Sequence, residues 1–163
     1  MTQVGKLLVS WEGLLGAMAK LVRTWEPVPA KNEIAYRDQL LAFIRRAVPA
    51  DTRIEREYRH RGTTVDLWIE WKGLFVGDEL AAELKVNLKK KSELDRLVGQ
   101  IESMNPSKHK VLVVLIGETD EALLGRLRAR YADFIAPPLA SGARLAIVEV
   151  PVATTISDKP RVD

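Results

Sequence analysis

A continuous apolar run in the second half of the chain constrains the fold more than any other feature. The run Val111 to Ile116 consists only of valine, leucine and isoleucine, as expected of a central strand that is buried on both faces. A segment with helical periodicity separates it from an earlier strand-length segment that ends at Val86. A strand, helix, strand unit of this kind places its two strands parallel in one sheet. The sequence therefore predicts an α/β domain.

Segments with strand or helix periodicity on either side extend this unit. The predicted helices run from about Asn32 to Ala47, from Ser92 to Met104 and from Thr119 to Phe134. The further predicted strands are Thr52 to His60, Thr63 to Glu70 and Ala143 to Val150. Thr52 to His60 has few core residues and is expected at the edge of the sheet. The predicted architecture is a mixed central sheet with flanking helices.

The N-terminal segment carries two interleaved apolar series with a period of seven residues. Val4, Trp11, Met18 and Trp25 form one series, and Leu7, Leu14 and Leu21 form the other. They predict an amphipathic helix that packs on the core of its own chain, forms a homodimer or binds a partner protein. Pro27 and Pro29 end this segment. We therefore predict an accessory or oligomerisation helix over residues 1–30, a domain over residues 31–150 and a flexible tail over residues 151–163.

Composition limits the chemistry that the chain can perform. The 163 residues include no cysteine and two histidines, His60 and His109, which lie far apart in the sequence. Any metal site should therefore be mainly oxygen-ligated, which argues against zinc, and a reducing cytoplasmic location is expected. The net charge is +3, and the basic residues form clusters that suit the binding of a polyanionic partner. No segment has the length and apolarity of a membrane span.

Charged residues within strand-length apolar segments are the candidate site. In the segment 79–86, Glu83 and Lys85 share one strand face, while Ala82, Leu84 and Val86 share the other. In Thr63 to Glu70, Asp66 lies opposite the predicted core face of Val65, Leu67 and Ile69. If the two strands pair, Asp66 lies beside Glu83 and Lys85. Two carboxylates and a lysine suit a hard divalent cation that holds a phosphodiester. The alternative is a wet sheet face whose charges are solvated.

The order of Asp66, then Glu83, one residue and Lys85 resembles the active-site pattern of the PD-(D/E)xK nuclease superfamily. Val65 stands where the superfamily's name has proline. The resemblance covers residues 33–117 and implies a restriction-endonuclease-like αβββαβ core and a metal-dependent DNA nuclease. It further implies that Asp66, Glu83 and the main-chain carbonyl of Leu84 hold Mg²⁺ or Mn²⁺, and that Lys85 positions the attacking water.

Other residues are expected to assist if this resemblance holds. Glu33 lies on the helix before the sheet. It either joins the metal site or is present only because the helix dipole favours an acidic side chain near the helix N-terminus. Some families of the superfamily carry a functional glutamine on the helix after the catalytic strand. Gln100 is the counterpart here, although Met104 stands where those families have tyrosine. Nucleic-acid contacts are expected from Gln100 and from the basic residues Arg59, Arg61, Lys89, Lys90 and Lys91. The alternative for the basic residues is that they lie in solvated loops and bind nothing.

Two functions without catalysis remain open at this level. The domain can be a catalytically silent, nuclease-like module that binds DNA or assembles with partners. It can also be a protein interaction module with no DNA affinity, and a steep salt dependence of DNA binding would count against that reading.

Overall fold

The structure is a computed structural model that describes residues 13–73, 77–137 and 142–153. The first part of the predicted N-terminal helix and most of the predicted tail lie outside these residues. The strands, in chain order, are β1 (Arg53–His60), β2 (Thr63–Lys72), β3 (Gly77–Val86), β4 (Lys110–Ile116) and β5 (Leu145–Val150). The helices are α1 (Gly13–Arg23), α2 (Glu33–Ala47), α3 (Lys91–Met104), α4 (Glu121–Arg130) and α5 (Ala132–Ile135).

The strands form one five-stranded mixed sheet in the order β1-β2-β3-β4-β5. The first three strands are antiparallel, and β3, β4 and β5 are parallel. This confirms the predicted α/β class, the edge position of β1 and the parallel pairing on either side of α3. The β1–β2 turn has positive φ at Arg61 (49°) and Gly62 (87°), as a two-residue hairpin turn requires.

Local capping chemistry sets the helix ends. The side chain of Asn32 accepts a hydrogen bond from the Ala35 amide, so α2 begins where predicted. α3 begins at Lys91 rather than after a Ser92 cap, because Glu93 accepts hydrogen bonds from the amides of Lys89 and Lys90. The helix predicted over Thr119 to Phe134 is divided at Tyr131 into α4 and α5. None of the described helices is long and apolar enough to cross a membrane.

Two hydrophobic clusters cover the two faces of the sheet. One joins α1 and α2 to strand residues that include Leu67, Leu80 and Leu84. The other joins α3, α4 and Tyr131 to Trp68, Ala81 and Val113. Burial on both faces explains why β4 is apolar from Val111 to Ile116. Ile34, which the helical pattern placed on the buried face of α2, is instead 56% exposed.

The described part of the N-terminal helix packs on its own chain. Leu14, Met18, Leu21 and Trp25 are all buried in the cluster with α2. The amide of Leu14 also donates a 3.1 Å hydrogen bond to Asp78 Oδ2, and Lys110 forms a 2.7 Å ion pair with the same carboxylate. These contacts attach the beginning of α1 to β3 and β4.

The β1–β2 hairpin bends at Glu57. Pairing runs from Arg53↔Glu70 to Arg56↔Leu67 and resumes at Tyr58↔Val65, and Glu57 between them has a φ of 51°. As a result, Val65 packs in the cluster with α3, whereas Leu67 packs in the cluster with α1 and α2. The predicted single core face of Val65, Leu67 and Ile69 is therefore wrong at Val65. Alternate residues of β2 therefore switch from one face of the sheet to the other at Asp66.

Candidate functional site

Asp66 lies where β2 and β3 stop pairing through their main chains. The β2–β3 register extends from Lys72↔Gly77 to Leu67↔Ala82. Asp66 immediately precedes Leu67 in β2, and its carboxylate accepts a 2.8 Å hydrogen bond from the Leu84 amide. The Asp66 carboxylate therefore replaces the main-chain carbonyl of β2 that would accept this hydrogen bond in a continuous strand pair. This contact fixes Asp66 beside Glu83, its sequence-predicted neighbour.

Glu83 is enclosed between β3 and α3. Its side chain is 0% exposed, and its Oε2 accepts a 3.2 Å hydrogen bond from Gln100 Nε2 on α3. Its other oxygen, Oε1, is buried with no hydrogen-bond partner. Glu83 therefore does not lie on a solvated face of the sheet, and that alternative is wrong for this residue. A buried carboxylate oxygen without a partner is energetically unfavourable and calls for a proton or a cation.

The electrostatic environment of Glu83 favours its neutral form. Burial is the largest cause and raises the pKa of Glu83 to about 9. The negative charge of Asp66, the hydrogen bond that protonated Glu83 donates to Asp66, and the negative charge of Glu33 act in the same direction. At neutral pH and without a cation, Glu83 holds a proton. Binding a divalent cation would release that proton, because a ligating carboxylate must be ionised.

Lys85 and Glu33 form an ion pair at the end of β3. Lys85 Nζ lies 3.6 Å from Glu33 Oε2, and the same oxygen accepts a 3.3 Å hydrogen bond from the Val86 amide. The Lys85 side chain is 15% exposed and that of Glu33 is 39% exposed. Glu33 therefore contacts the end of β3 and holds the Lys85 ammonium group there. Its negative charge neutralises Lys85 in this arrangement.

The donor atoms at this site suit a hard cation. Within residues 13–73, 77–137 and 142–153, no group of three or more histidine, cysteine, aspartate or glutamate side chains is arranged to hold a metal ion. Mg²⁺ usually binds one or two carboxylates and keeps several waters. The Asp66 carboxylate and the partnerless Oε1 of Glu83 fit that smaller set.

The basic residues predicted to bind nucleic acid lie in two places. Lys89 forms an ion pair with Glu118, and Lys91 forms a 2.7 Å ion pair with Asp95. At the hairpin, Arg61 lies near His109, just before β4; burial is the main cause that lowers the pKa of His109, and the charge of Arg61 acts in the same direction. The lysines follow the opposite end of β3. The seven residues of β4 separate these two ends by roughly 20 Å.

An open groove lies beside the end of β3. It has a volume of about 630 Å³, and its lining includes Tyr36, Val86, Asn87, Lys89 and Glu118. Val86 follows Lys85 directly, so the groove approaches the Lys85–Glu33 pair. A second groove of about 600 Å³ lies between α1 and β5. That groove is lined by none of the predicted site residues.

The sequence analysis did not single out Arg37. Arg37 lies one helical turn after Glu33 and is 6% exposed. Its guanidinium is 3.0 Å from Glu57 Oε1 at the bend of β1, and it also contacts Asp38. The signal was present in the sequence, because Arg37 shares helical spacing with the core positions Leu40, Leu41 and Ile44. A charged residue at such a position indicates a buried charge that needs an ion-pair partner.

The fold and the site together define a class of protein. It is an α/β protein with a mixed five-stranded sheet, in which Asp66 and Glu83 lie together where β2 and β3 separate and a Lys85–Glu33 ion pair follows on β3. Comparison of the chain with models of protein families, with curated proteins and with solved structures found no match.

Proposed function

We propose that this protein is a metal-dependent nuclease of the PD-(D/E)xK type that hydrolyses phosphodiester bonds in DNA. The order of α2, three antiparallel strands, α3 and a parallel strand supports a restriction-endonuclease-like core. The observation that carries the proposal is the proximity of Asp66 and Glu83 where β2 and β3 separate, with the Lys85–Glu33 ion pair next along β3.

The proposed metal ligands are Asp66, Glu83 and the main-chain carbonyl of Leu84. When bound, Mg²⁺ or Mn²⁺ supplies a Lewis acid that lowers the pKa of a coordinated water and offsets charge on the phosphate. Asp66 fixes the position of Leu84 through the Leu84 amide. Gln100 orients the Glu83 carboxylate by donating to Oε2, which leaves Oε1 for the cation.

Lys85 is the proposed group that orients the attacking water and neutralises developing negative charge. Glu33 accepts from the Val86 amide and forms an ion pair with Lys85, so it positions the ammonium group. Lys89, Lys90 and Lys91 lie just beyond β3, Lys89 lines the groove there, and the three are the proposed contacts to the DNA backbone. Arg59 and Arg61 are proposed to contact a more distant part of the substrate.

Cleavage assays with matched variants test this proposal. Purified protein is incubated with labelled duplex, single-stranded and branched DNA and with RNA, with and without Mn²⁺. Asp66→Ala and Lys85→Ala should each reduce metal-dependent cleavage by roughly 100-fold or more, because each removes a group from the reacting centre. Asp133→Ala and Lys72→Ala change exposed residues of the same types elsewhere and should leave the rate unchanged.

Circular dichroism and thermal unfolding of the four variants verify that each is folded. Metal-dependent cleavage by folded Asp66→Ala and Lys85→Ala at the wild-type rate would refute the assignment.

The burial of Glu83 favours a second candidate, a catalytically silent module that binds DNA. A carboxylate that is 0% exposed and protonated at neutral pH must lose its proton and admit a cation before it can act. Titration calorimetry with Mg²⁺ and Mn²⁺ separates the two functions. A nuclease should bind either cation in the wild type and lose that binding in Glu83→Gln, whereas a silent module should bind neither in a manner that depends on Glu83.

A further inference from the structure

The two histidines, distant in the sequence, face each other in the structure. His60 ends β1, and His109 precedes β4. Their Nε2 atoms are 3.2 Å apart, and their rings are nearly perpendicular, at 75°. Two imidazole nitrogens bound to one tetrahedral Zn²⁺, each at 2.0–2.1 Å, are separated by about 3.3 Å. The observed spacing matches that of two ligands of one cation.

Aromatic packing holds both rings in place. The His60 ring stacks on Trp68 at 5.1 Å with an interplanar angle of 13°, and Trp68 also stacks on Tyr58 at 4.9 Å. His109 contacts the same indole edge-on, with centroids 6.1 Å apart. Trp68 is 1% exposed, and its Nε1 donates a 2.9 Å hydrogen bond to Glu70. The imidazoles therefore project from a rigid base.

The second nitrogen of His109 lies near a carboxylate that could accept its proton. Nδ1 of His109 is buried with no hydrogen-bond partner, and the nearest carboxylate oxygen, Glu79 Oε1, lies 3.8 Å away. Glu79 is next to Leu80, which pairs with Lys110, so β3 and β4 fix this proximity. When a metal binds Nε2, the proton resides on Nδ1, and a nearby carboxylate usually accepts it.

We propose that His60 and His109 bind a borderline divalent transition-metal cation such as Zn²⁺ through their Nε2 atoms, with Glu79 as acceptor for His109 Nδ1. Imidazole nitrogens suit Zn²⁺, Ni²⁺ and Cu²⁺ rather than Mg²⁺. Water or an external ligand completes the coordination. The cation links the β1–β2 hairpin, with Arg59 and Arg61, to the beginning of β4. This site is separate from the proposed magnesium site.

Titration calorimetry with Zn²⁺ on untagged full-length protein, in excess Mg²⁺ to occupy the carboxylate site, tests the proposal. The wild type should bind one Zn²⁺, and His60→Gln and His109→Gln should each weaken binding by at least about 10-fold. Glu79→Gln should weaken it by about 10-fold while both imidazoles remain. Glu70→Gln is the matched control, since it changes a carboxylate near the same indole but keeps every proposed contact, and its affinity should equal that of the wild type.

Imidazole nitrogen NMR gives an independent readout, because the chain has only two histidines. Zn²⁺ should shift the Nε2 signals of both rings together. A wild type that binds no Zn²⁺ at millimolar concentration, or undiminished binding by folded His109→Gln and Glu79→Gln, would overturn the site and leave the imidazole contact as a hydrogen bond.

Discussion

Glu83 illustrates how a single residue can trade stability for a proposed function. It is the one carboxylate of the described residues that is fully buried. With a folded-state pKa of about 9, it is protonated at pH 7, whereas in the unfolded chain its pKa is near 4.5. Unfolding therefore releases a proton between these two values. The stability that the neutral form provides is complete below pH 4.5 and is lost as the pH rises toward 9.

Replacing this group by its neutral isostere should therefore stabilise the protein. Without divalent cations, we expect Glu83→Gln to raise the free energy of unfolding above that of the wild type by an amount that grows from pH 5 to pH 9 and reaches on the order of a few kcal/mol. Denaturant unfolding at pH 5, 7 and 9 measures this. In Glu118→Gln the difference should not grow with pH, because Lys89 lowers the pKa of the exposed Glu118. A constant difference for Glu83→Gln would contradict the account.

The sequence predicted which residues lie near Glu83 better than it predicted that Glu83 is buried. Alternation placed Glu83 and Lys85 on one face of β3, and the structure agrees, since Ala82 and Leu84 both lie in the opposite cluster. Gln100 was named only through the family resemblance, and it does contact Glu83. Complete burial depends on how closely α3 packs on β3, which the periodicity of either segment does not encode.

At the scale of elements, the end of β3 is controlled by the turn after β4. Gly117 has a φ of 80°, and a Cβ added there would overlap Asn87 Oδ1, which accepts a hydrogen bond from the Glu118 amide. Asn87 follows Val86 and itself has a φ of 49°. The turn therefore fixes the direction in which the chain leaves β3 beside Lys85.

A side chain at Gly117 should disturb this turn. We expect Gly117→Ala to destabilise the protein by on the order of 1 to 3 kcal/mol, because both the backbone angle and the space exclude a Cβ. Gly125→Ala, at an exposed position within α4, should instead stabilise by about 1 kcal/mol. Thermal unfolding of the two variants measures the contrast. Equal effects would show that Gly117 is not constrained.

The loop before α3 also makes a prediction for DNA binding. Lys89 and Lys91 are paired with Glu118 and Asp95, while Lys90 has no ion-pair partner among the residues with assigned structure. We expect Lys90→Ala to reduce the slope of log affinity against log salt by about 1. Lys91→Ala should reduce it less, because Asp95 already offsets its charge. Fluorescence anisotropy at several salt concentrations measures both slopes, and identical slopes in all three proteins would remove Lys90 from the interface.

Element types were predictable because periodicity and capping residues specify them locally. The parallel β3–β4 pair and the Asn32 cap are examples. The bend at Glu57 was not predictable, since Glu57 there forms an ion pair with the buried Arg37 on another element. The same limit applies to the two histidines, which meet only through the tertiary fold.

At the scale of the whole molecule, α1 is part of the sheet's core. Met18 is 0% exposed and lies in the cluster that also contains Leu80, Leu84 and Val148. The loss of α1 would therefore expose one face of the sheet. Heptad spacing alone left open whether this helix packs on its own chain or on another, because either surface can cover the same stripe.

We expect Met18→Ala to lower the free energy of unfolding by about 2 to 5 kcal/mol, the usual range for removing a buried side chain of this size. Val28→Ala should change it by less than about 0.5 kcal/mol, because Val28 is 69% exposed. Denaturant unfolding followed by tryptophan fluorescence and by circular dichroism should give one coincident transition. Separate transitions would show that α1 unfolds independently of the sheet.

The proposed cleavage site is assembled from parts that are synthesised at very different times. Glu33 and Asp66 leave the ribosome well before Gln100, and β3 needs β4 as its parallel neighbour. A growing chain therefore carries no completed cleavage site until α3 and β4 have emerged and the sheet has closed. A chain truncated before β4 would therefore lack the proposed site.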